Sequence, residues 1–165
     1  MRCVAGCFRC CLKADIRCSV LECLPLAHFL LQTGAWPLVL HDIEARERHG
    51  DGRCVLLSET PSEGEAGCCR AYAWRPLICR LFGRSVAVNR RGEAVPFACA
   101  SIKQTWSEAF TRSRGGAPVM RRYTLQLFAV DPATVLASLP INDALSEAIE
   151  GLLLYNRYRR LRLGR

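Results

Sequence analysis

Eleven cysteines, every one of them before residue 100, dominate the sequence of this 165-residue chain. Thiols at such density are committed either to disulfides or to metal, and the redox compartment decides between the two. The first eleven residues, Met-Arg-Cys-Val-Ala-Gly-Cys-Phe-Arg-Cys-Cys, lack the apolar core of a secretory signal. The most hydrophobic stretch, Leu21 to His41, is interrupted by Glu22, Pro25, His28, Gly34 and Pro37. A membrane span needs roughly 20 nearly unbroken apolar residues, so this stretch reads as buried structure rather than a span. The expectation is a cytoplasmic, reducing location in which thiols stay free to bind metal. The odd cysteine count also fits poorly with complete internal pairing.

The length suits one domain, and 50% apolar residues can build an ordinary core. A domain of this size buries only about two-thirds of its unfolded surface, which leaves room for a metal to add stability. Residues 1–100 read as a cysteine-cluster metal-binding region, and residues 101–165 as a helical C-terminal extension packed on the same domain. Residues 1–18 read as irregular. Ser19-Val20-Leu21-Glu22 has capping-box spacing, although Pro25 offers an alternative helix start running to about Thr33. The polar stretch from His41 to Gly52 reads as exposed, and Glu59 to Gly67 as a loop. Ser85 to Val88, Asn89 to Gly92 and Glu93 to Phe97 form a hairpin pattern. Ser101 to Gln104 is a second capping-box pattern, opening a helix with Ile102, Trp106, Ala109 and Phe110 on one face. Arg122 to Val130 fits helix and strand periods equally. Asp131-Pro132 starts a short helix, and Asn142 or Asp143 caps a last one with Leu145, Ile149, Leu152 and Leu153 inward. The fold class expected is α+β: a small, helix-rich single domain with a short β-hairpin, stabilised by a cysteine-ligated metal site.

Cys3, Cys7, Cys10 and Cys11 give C-x3-C-x2-C-C. Cysteines two residues apart, such as Cys7 and Cys10, can wrap a tight turn so that both sulfurs reach one ion at about 2.3 Å. The adjacent Cys10 and Cys11 would point in opposite directions in an extended segment, which favours two metals or one polynuclear cluster. Cys54, Cys68, Cys69, Cys79 and Cys99 follow. Between Cys69 and Phe82 the chain reads C-R-A-Y-A-W-R-P-L-I-C-R-L-F.

This combination resembles the YkgJ-like family of zinc- or iron-chelating cysteine-cluster proteins. Members join an N-terminal C-x-x-C-x-x-C-C cluster to a later C-x-x-Y-x-x-R-P-x-x-C-R-x-F segment. The second motif is complete here in Cys69, Tyr72, Arg75, Pro76, Cys79, Arg80 and Phe82. The first is matched by Cys7, Cys10 and Cys11, with Cys3 one residue away from the family position at Val4. Glu22 matches a glutamate that follows the first cluster. The resemblance spans residues 3 to about 99 and implies metal ligands among Cys7, Cys10, Cys11, Cys54, Cys69, Cys79 and Cys99. It implies a 4Fe–4S cluster or zinc as cofactor, and it extends distantly to a flagellin lysine N-methylase. An iron–sulfur redox or transferase enzyme is therefore the alternative to a plain metal-binding protein. No glycine-rich loop of a methyl-donor site is visible.

Other residues carry plainer readings. Cys18 and Cys23 read as core packing, since free cysteine is among the most buried residue types. Cys68 reads as a spare thiol, His28 as a core residue, and His41 and His49 as flanks of an exposed loop. Arg75 and Arg80 are candidate cofactor-binding residues, able to offset thiolate charge or clamp an anion; hydrogen bonding to nearby carbonyls is the other reading. Tyr72, Trp74 and Phe82 read as packing that keeps water from the site. The formal charge of +8 gathers partly at Arg157, Arg159, Arg160, Arg162 and Arg165. A solvated helix end, favoured by the macrodipole, is preferred over nucleic-acid contact because few aromatics are interleaved. Protein partners have no signature in the sequence.

Overall fold

The computed structural model describes residues 10–58, 69–99, 103 and 116–163. A two-residue strand β1 (Arg17–Cys18) leads into helix α1 (Val20–Thr33), and α2 (Trp36–Arg48) follows at once. A 3-10 turn (Tyr72–Trp74) then precedes the short helix α3 (Leu77–Leu81). The hairpin β2 (Ser85–Val88) and β3 (Ala94–Phe97) comes next. Helices α4 (Met120–Val130) and α5 (Pro132–Leu136), strand β4 (Leu139–Pro140) and the long helix α6 (Ile141–Leu163) complete the chain. This is a small α+β domain, rich in helix, as its patterning suggests. None of its described helices is long and apolar enough to cross a membrane.

Helix α1 starts where the capping box places it. The Ser19 side chain accepts from the Glu22 N–H, and Oε2 of Glu22 accepts from the Ser19 N–H at 2.8 Å. Pro25 lies inside this helix rather than at its start. The reciprocal cap satisfies two donors at the helix start, and the buried face of Cys23, Leu26, Ala27 and Leu30 holds the helix past the ladder bond that Pro25 removes. Gly34 ends α1 in the left-handed conformation, φ 70°, and its N–H reaches back to the carbonyls of Leu30 and Leu31. Glycine is favoured there because a Cβ strains that backbone.

The stretch expected to be an exposed loop from His41 to Gly52 is instead mostly helix α2. Its charged residues conceal a narrow apolar stripe, in which Val39 and Ile43 are buried. His28, expected in the core, lies on the solvent side of α1, while Leu26, Ala27 and Leu30 take the inward face. The hairpin follows the sequence pattern, with Val86 opposite Pro96 and Ala87 opposite Val95. Asn89 Oδ1 accepts from the N–H groups of Arg91 and Glu93, each at 2.9 Å, which sets the turn. The ambiguous segment before Asp131 is helix α4, and Asp131 caps the short α5 through its side chain. Of the helix expected to begin at Ser101 only Lys103 is described, and it is helical, its N–H bonding to the Cys99 carbonyl at 3.0 Å; the loop from Glu59 to Gly67 lies outside the described residues.

The core is the seam between α1 and α6, joined by α2 and the segment around Val55. Cys23, Leu26 and Ala27 of α1 meet Ala144, Leu145, Ala148 and Ile149 of α6, all essentially removed from solvent. Alanines on both sides of that seam let the helices approach closely. Leu152 and Leu153 are partly buried at its end. Strand β1 pairs antiparallel with β4, Arg17 opposite Pro140 and Cys18 opposite Leu139, and the Ile141 N–H reaches the Ile16 carbonyl at 2.9 Å. The first and last described parts of the chain are thereby stitched together beneath the cysteines.

Candidate metal centre

Five places in the chain bring cysteines to one cavity of about 320 Å³, four of them carrying candidate ligands and the fifth being Cys23 of α1. The first is the turn holding Cys10 and Cys11, closed by the Lys13 N–H bonding to the Cys10 carbonyl at 3.2 Å. Because this segment is a turn and not a strand, the two side chains do not diverge: their sulfurs stand 3.9 Å apart. Two ligands of one tetrahedral zinc at about 2.3 Å would lie roughly 3.8 Å apart. The expected opposition of Cys10 and Cys11 is therefore absent. Next to this turn, Gly52 passes so close that a Cβ there would meet the Ala14 Cβ at 2.9 Å and the Ala14 carbonyl oxygen at 3.2 Å.

The second place is Cys54, buried beside Val55 and Leu56. It is held by Asn142 from α6, whose side chain grips the backbone on both sides of it. The Asn142 Nδ2 donates to the Arg53 carbonyl at 3.0 Å, and its Oδ1 accepts from the Val55 N–H at 2.9 Å. Asn142 was expected as a helix cap. It lies inside the first turn of α6 and serves as a clamp, a role that depends on a partner 89 residues away. Asp51 supports the same loop from below, accepting from the Arg53 N–H at 3.1 Å and pairing with the Arg53 and Arg46 side chains.

Cys69 is the third. It bridges to Leu57, and the Arg70 N–H bonds to the Leu56 carbonyl at 2.9 Å, so Cys69 runs alongside the Cys54 segment. The Arg70 guanidinium adds bonds to the Val55 carbonyl at 2.6 Å and to Asp42 at 3.3 Å. Cys79, the fourth, sits on α3. That helix is anchored to α1 by Glu22, whose Oε1 accepts from the Ile78 N–H at 2.9 Å. One carboxylate thus closes the α1 cap and aligns the helix bearing Cys79.

The segment between Cys69 and Cys79 is folded by its own side chains. The Arg75 guanidinium lies 3.5 Å from the Tyr72 ring centroid, and its Nε donates to the Tyr72 carbonyl at 3.1 Å. Arg80 donates to the carbonyls of Arg75, at 2.8 Å, and Ala73. Trp74 stacks on Phe29 of α1 at 5.0 Å, and Phe82 meets Phe97 edge-on at 5.2 Å. Both arginines therefore hold backbone, while Arg75 alone also lines the cavity. Ile16, Leu26, Leu56, Ile78 and Ile141 give the cavity largely apolar walls, with Lys13, Asp15 and Arg17 among its polar lining residues.

The electrostatics separate the thiols. A hydrogen bond from the Cys11 thiol lowers Cys10 to about 6 and pushes Cys11 far upward. Burial raises Cys54 to about 11 and also raises Cys69 and Cys79. Cys10 is thus the thiol of the group shifted toward its thiolate, by the Cys11 contact first and by Arg75 least. The others need a cation to offset the cost of charging buried sulfur. Thiolates formed at neighbouring cysteines would add mutual repulsion at Cys11, Cys69 and Cys79.

Among the described residues, no three cysteine, histidine or carboxylate side chains converge tightly enough to chelate one ion as they stand. The sulfurs ring the cavity rather than meeting at a point. Cys99 lies two residues beyond β3 and is absent from the described lining. Cys7, with Cys3 and Cys68, lies outside the described residues. His28, His41 and His49 are exposed and away from the cavity. Sequence reasoning missed the Asn142 clamp and the second bond of Glu22. The polar Asn142 ahead of an apolar helix was the visible signal, but it reads identically to a cap. Compared with protein-family models, curated proteins and solved structures, the chain finds no match.

Proposed function

We propose that this chain is a metal-binding protein that holds zinc or an iron–sulfur cluster through Cys10, Cys11, Cys54, Cys69 and Cys79. The observation that carries the reading is the convergence of these five thiols, from four separated places in the chain, on a single cavity. Cys54 belongs to the apolar core and Cys69 and Cys79 pack against it, but core packing alone does not call for five candidate donors facing one space. Five soft donors exceed the four of a tetrahedral thiolate site, and thiolates suit both zinc and iron–sulfur centres. Bound metal would replace the protons of the raised thiols and draw the ring of sulfurs inward. The resemblance to YkgJ-like cysteine-cluster proteins supports the same assignment, because its second motif supplies Cys69, Cys79 and the arginines that shape their loop. A cytoplasmic, reducing location suits free thiols of this kind.

An iron–sulfur redox or transferase enzyme is the second reading, favoured by the open, largely apolar space beside the thiols, which is large enough to admit a small substrate. Anaerobic purification followed by elemental analysis and an absorption spectrum separates the two. Zinc in a colourless protein supports a structural or regulatory site and removes the enzyme reading. Iron with sulfide and a broad band near 400 nm, roughly where thiolate-to-iron charge transfer absorbs, supports a cluster. Protein isolated without stoichiometric metal overturns both.

A further inference from the structure

Two cysteines outside the proposed ligand set stand side by side behind it. The sulfurs of Cys18 and Cys23 are 3.5 Å apart, and both residues are buried. A disulfide requires about 2.05 Å between sulfurs, so the pair lies within a small side-chain movement of bonding. Each thiol is held by rigid structure: Cys18 by the pairing of β1 with β4, Cys23 by the first turns of α1. Cys23 lines the cavity wall but has no exposed surface of its own, so an oxidant reaches its sulfur only when that wall opens.

The four residues between the two cysteines form the α1 cap. Glu22 there bonds back to Ser19 and forward to the Ile78 N–H, immediately before Cys79. The segment that a bridge would span therefore carries the one carboxylate that joins α1 to α3.

We infer that Cys18 and Cys23 are a redox couple that closes to a disulfide and thereby weakens the hold of the cavity cysteines on metal; the second half rests on the metal reading above. With a peroxide as oxidant, the Cys23 thiolate attacks the O–O bond, forming a sulfenic acid and releasing hydroxide, which takes up the thiol's proton to leave as water. The Cys18 thiol then attacks that sulfur, forming the S–S bond and expelling a second water. Two electrons pass from the two sulfurs to one peroxide, and two thiols are consumed. A thiol reductant reverses the step by exchange.

The test treats the reduced full chain, as purified, with hydrogen peroxide, blocks remaining thiols by alkylation and digests with trypsin. Both cysteines fall in one tryptic peptide, residues 18–46, because no lysine or arginine lies between Arg17 and Arg46. The expected result is a peptide lighter by two hydrogens and unalkylated, restored to two alkyl groups by prior dithiothreitol. Metal release measured on the same samples should follow its appearance, and Cys23→Ala or Cys18→Ala should slow that release several-fold. A peptide that stays fully alkylatable while the cavity cysteines oxidise overturns the couple. Disulfide formation with metal fully retained, or release unchanged in both variants, overturns the coupling. The peptide readout needs no metal, so failure of the metal reading leaves the redox couple separately decided.

Discussion

Asn142 and Asp51 act on the same short loop, and their effects should differ. Replacing Asn142 by Ala strands the buried N–H of Val55 and removes one bond to the half-buried Arg53 carbonyl. An unsatisfied buried group costs about 1–3 kcal/mol, so Asn142→Ala should lose about 2–3 kcal/mol in urea denaturation and should also reduce metal uptake. An exposed cap would lose only about 1 kcal/mol, so this measurement separates the clamp from the cap. Asp51 is held at about 2 instead of 3.8, chiefly by hydrogen bonding to Arg53. A carboxyl whose folded value is lowered contributes stability above its unfolded value and loses it as pH falls toward the folded one. The melting temperature of wild type should exceed that of Asp51→Asn at neutral pH, and the gap should close between about pH 4 and pH 2. A gap that is constant across this range would show that the pairing of Asp51 with Arg46 and Arg53 is not what holds the loop.

At the scale of elements, two junctions position the cysteine-bearing segments. The Ser19–Glu22 box starts α1 and orients α3, so Ser19→Ala should lose about 1 kcal/mol. Glu22→Ala should lose more, because it also frees the Ile78 N–H. The second junction is the approach of Gly52 to Ala14. Gly52→Ala forces the loop bearing Cys54 away from the Cys10–Cys11 turn, so metal affinity should fall while the α1–α6 seam, and with it far-ultraviolet circular dichroism, stays intact. Unchanged affinity in Gly52→Ala would separate those two segments functionally. Much at this scale was legible in the sequence. The capping box, the Asn89–Gly92 turn and the Asp131-Pro132 start each rest on residues within about four positions of one another, and local chemistry decides them. Helix α2 was not legible, because two inward residues among many charges give too faint a period. His28 was misplaced for the converse reason: on an apolar helix the outward position looks like the inward ones.

Across the whole molecule, the cavity exists because the two ends of the described chain meet. The pairing of β1 with β4 and the seam of α1 against α6 supply Ile16, Leu26, Ile141 and Leu145 to the cavity wall. Ile149→Ala, at the centre of that seam, should cost about 2–5 kcal/mol, and bound metal should offset part of the loss. That the C-terminal helix supports the cysteine site could not be read from the chain, since no local pattern links Asn142 to a loop 89 residues earlier. The candidate ligands, by contrast, stood out from spacing and motif. Five of the seven now surround one cavity; Cys99 is not among its described lining residues, and Cys7 lies outside the described residues. The measurement that bears most directly on this account is the metal-to-protein ratio of anaerobically purified wild type beside Cys69→Ser and Cys79→Ser, with thermal melting of all three. The account predicts stoichiometric zinc or iron in wild type, its loss in both variants, and a marked fall in melting temperature with it. Equal metal content and equal melting in all three would contradict it.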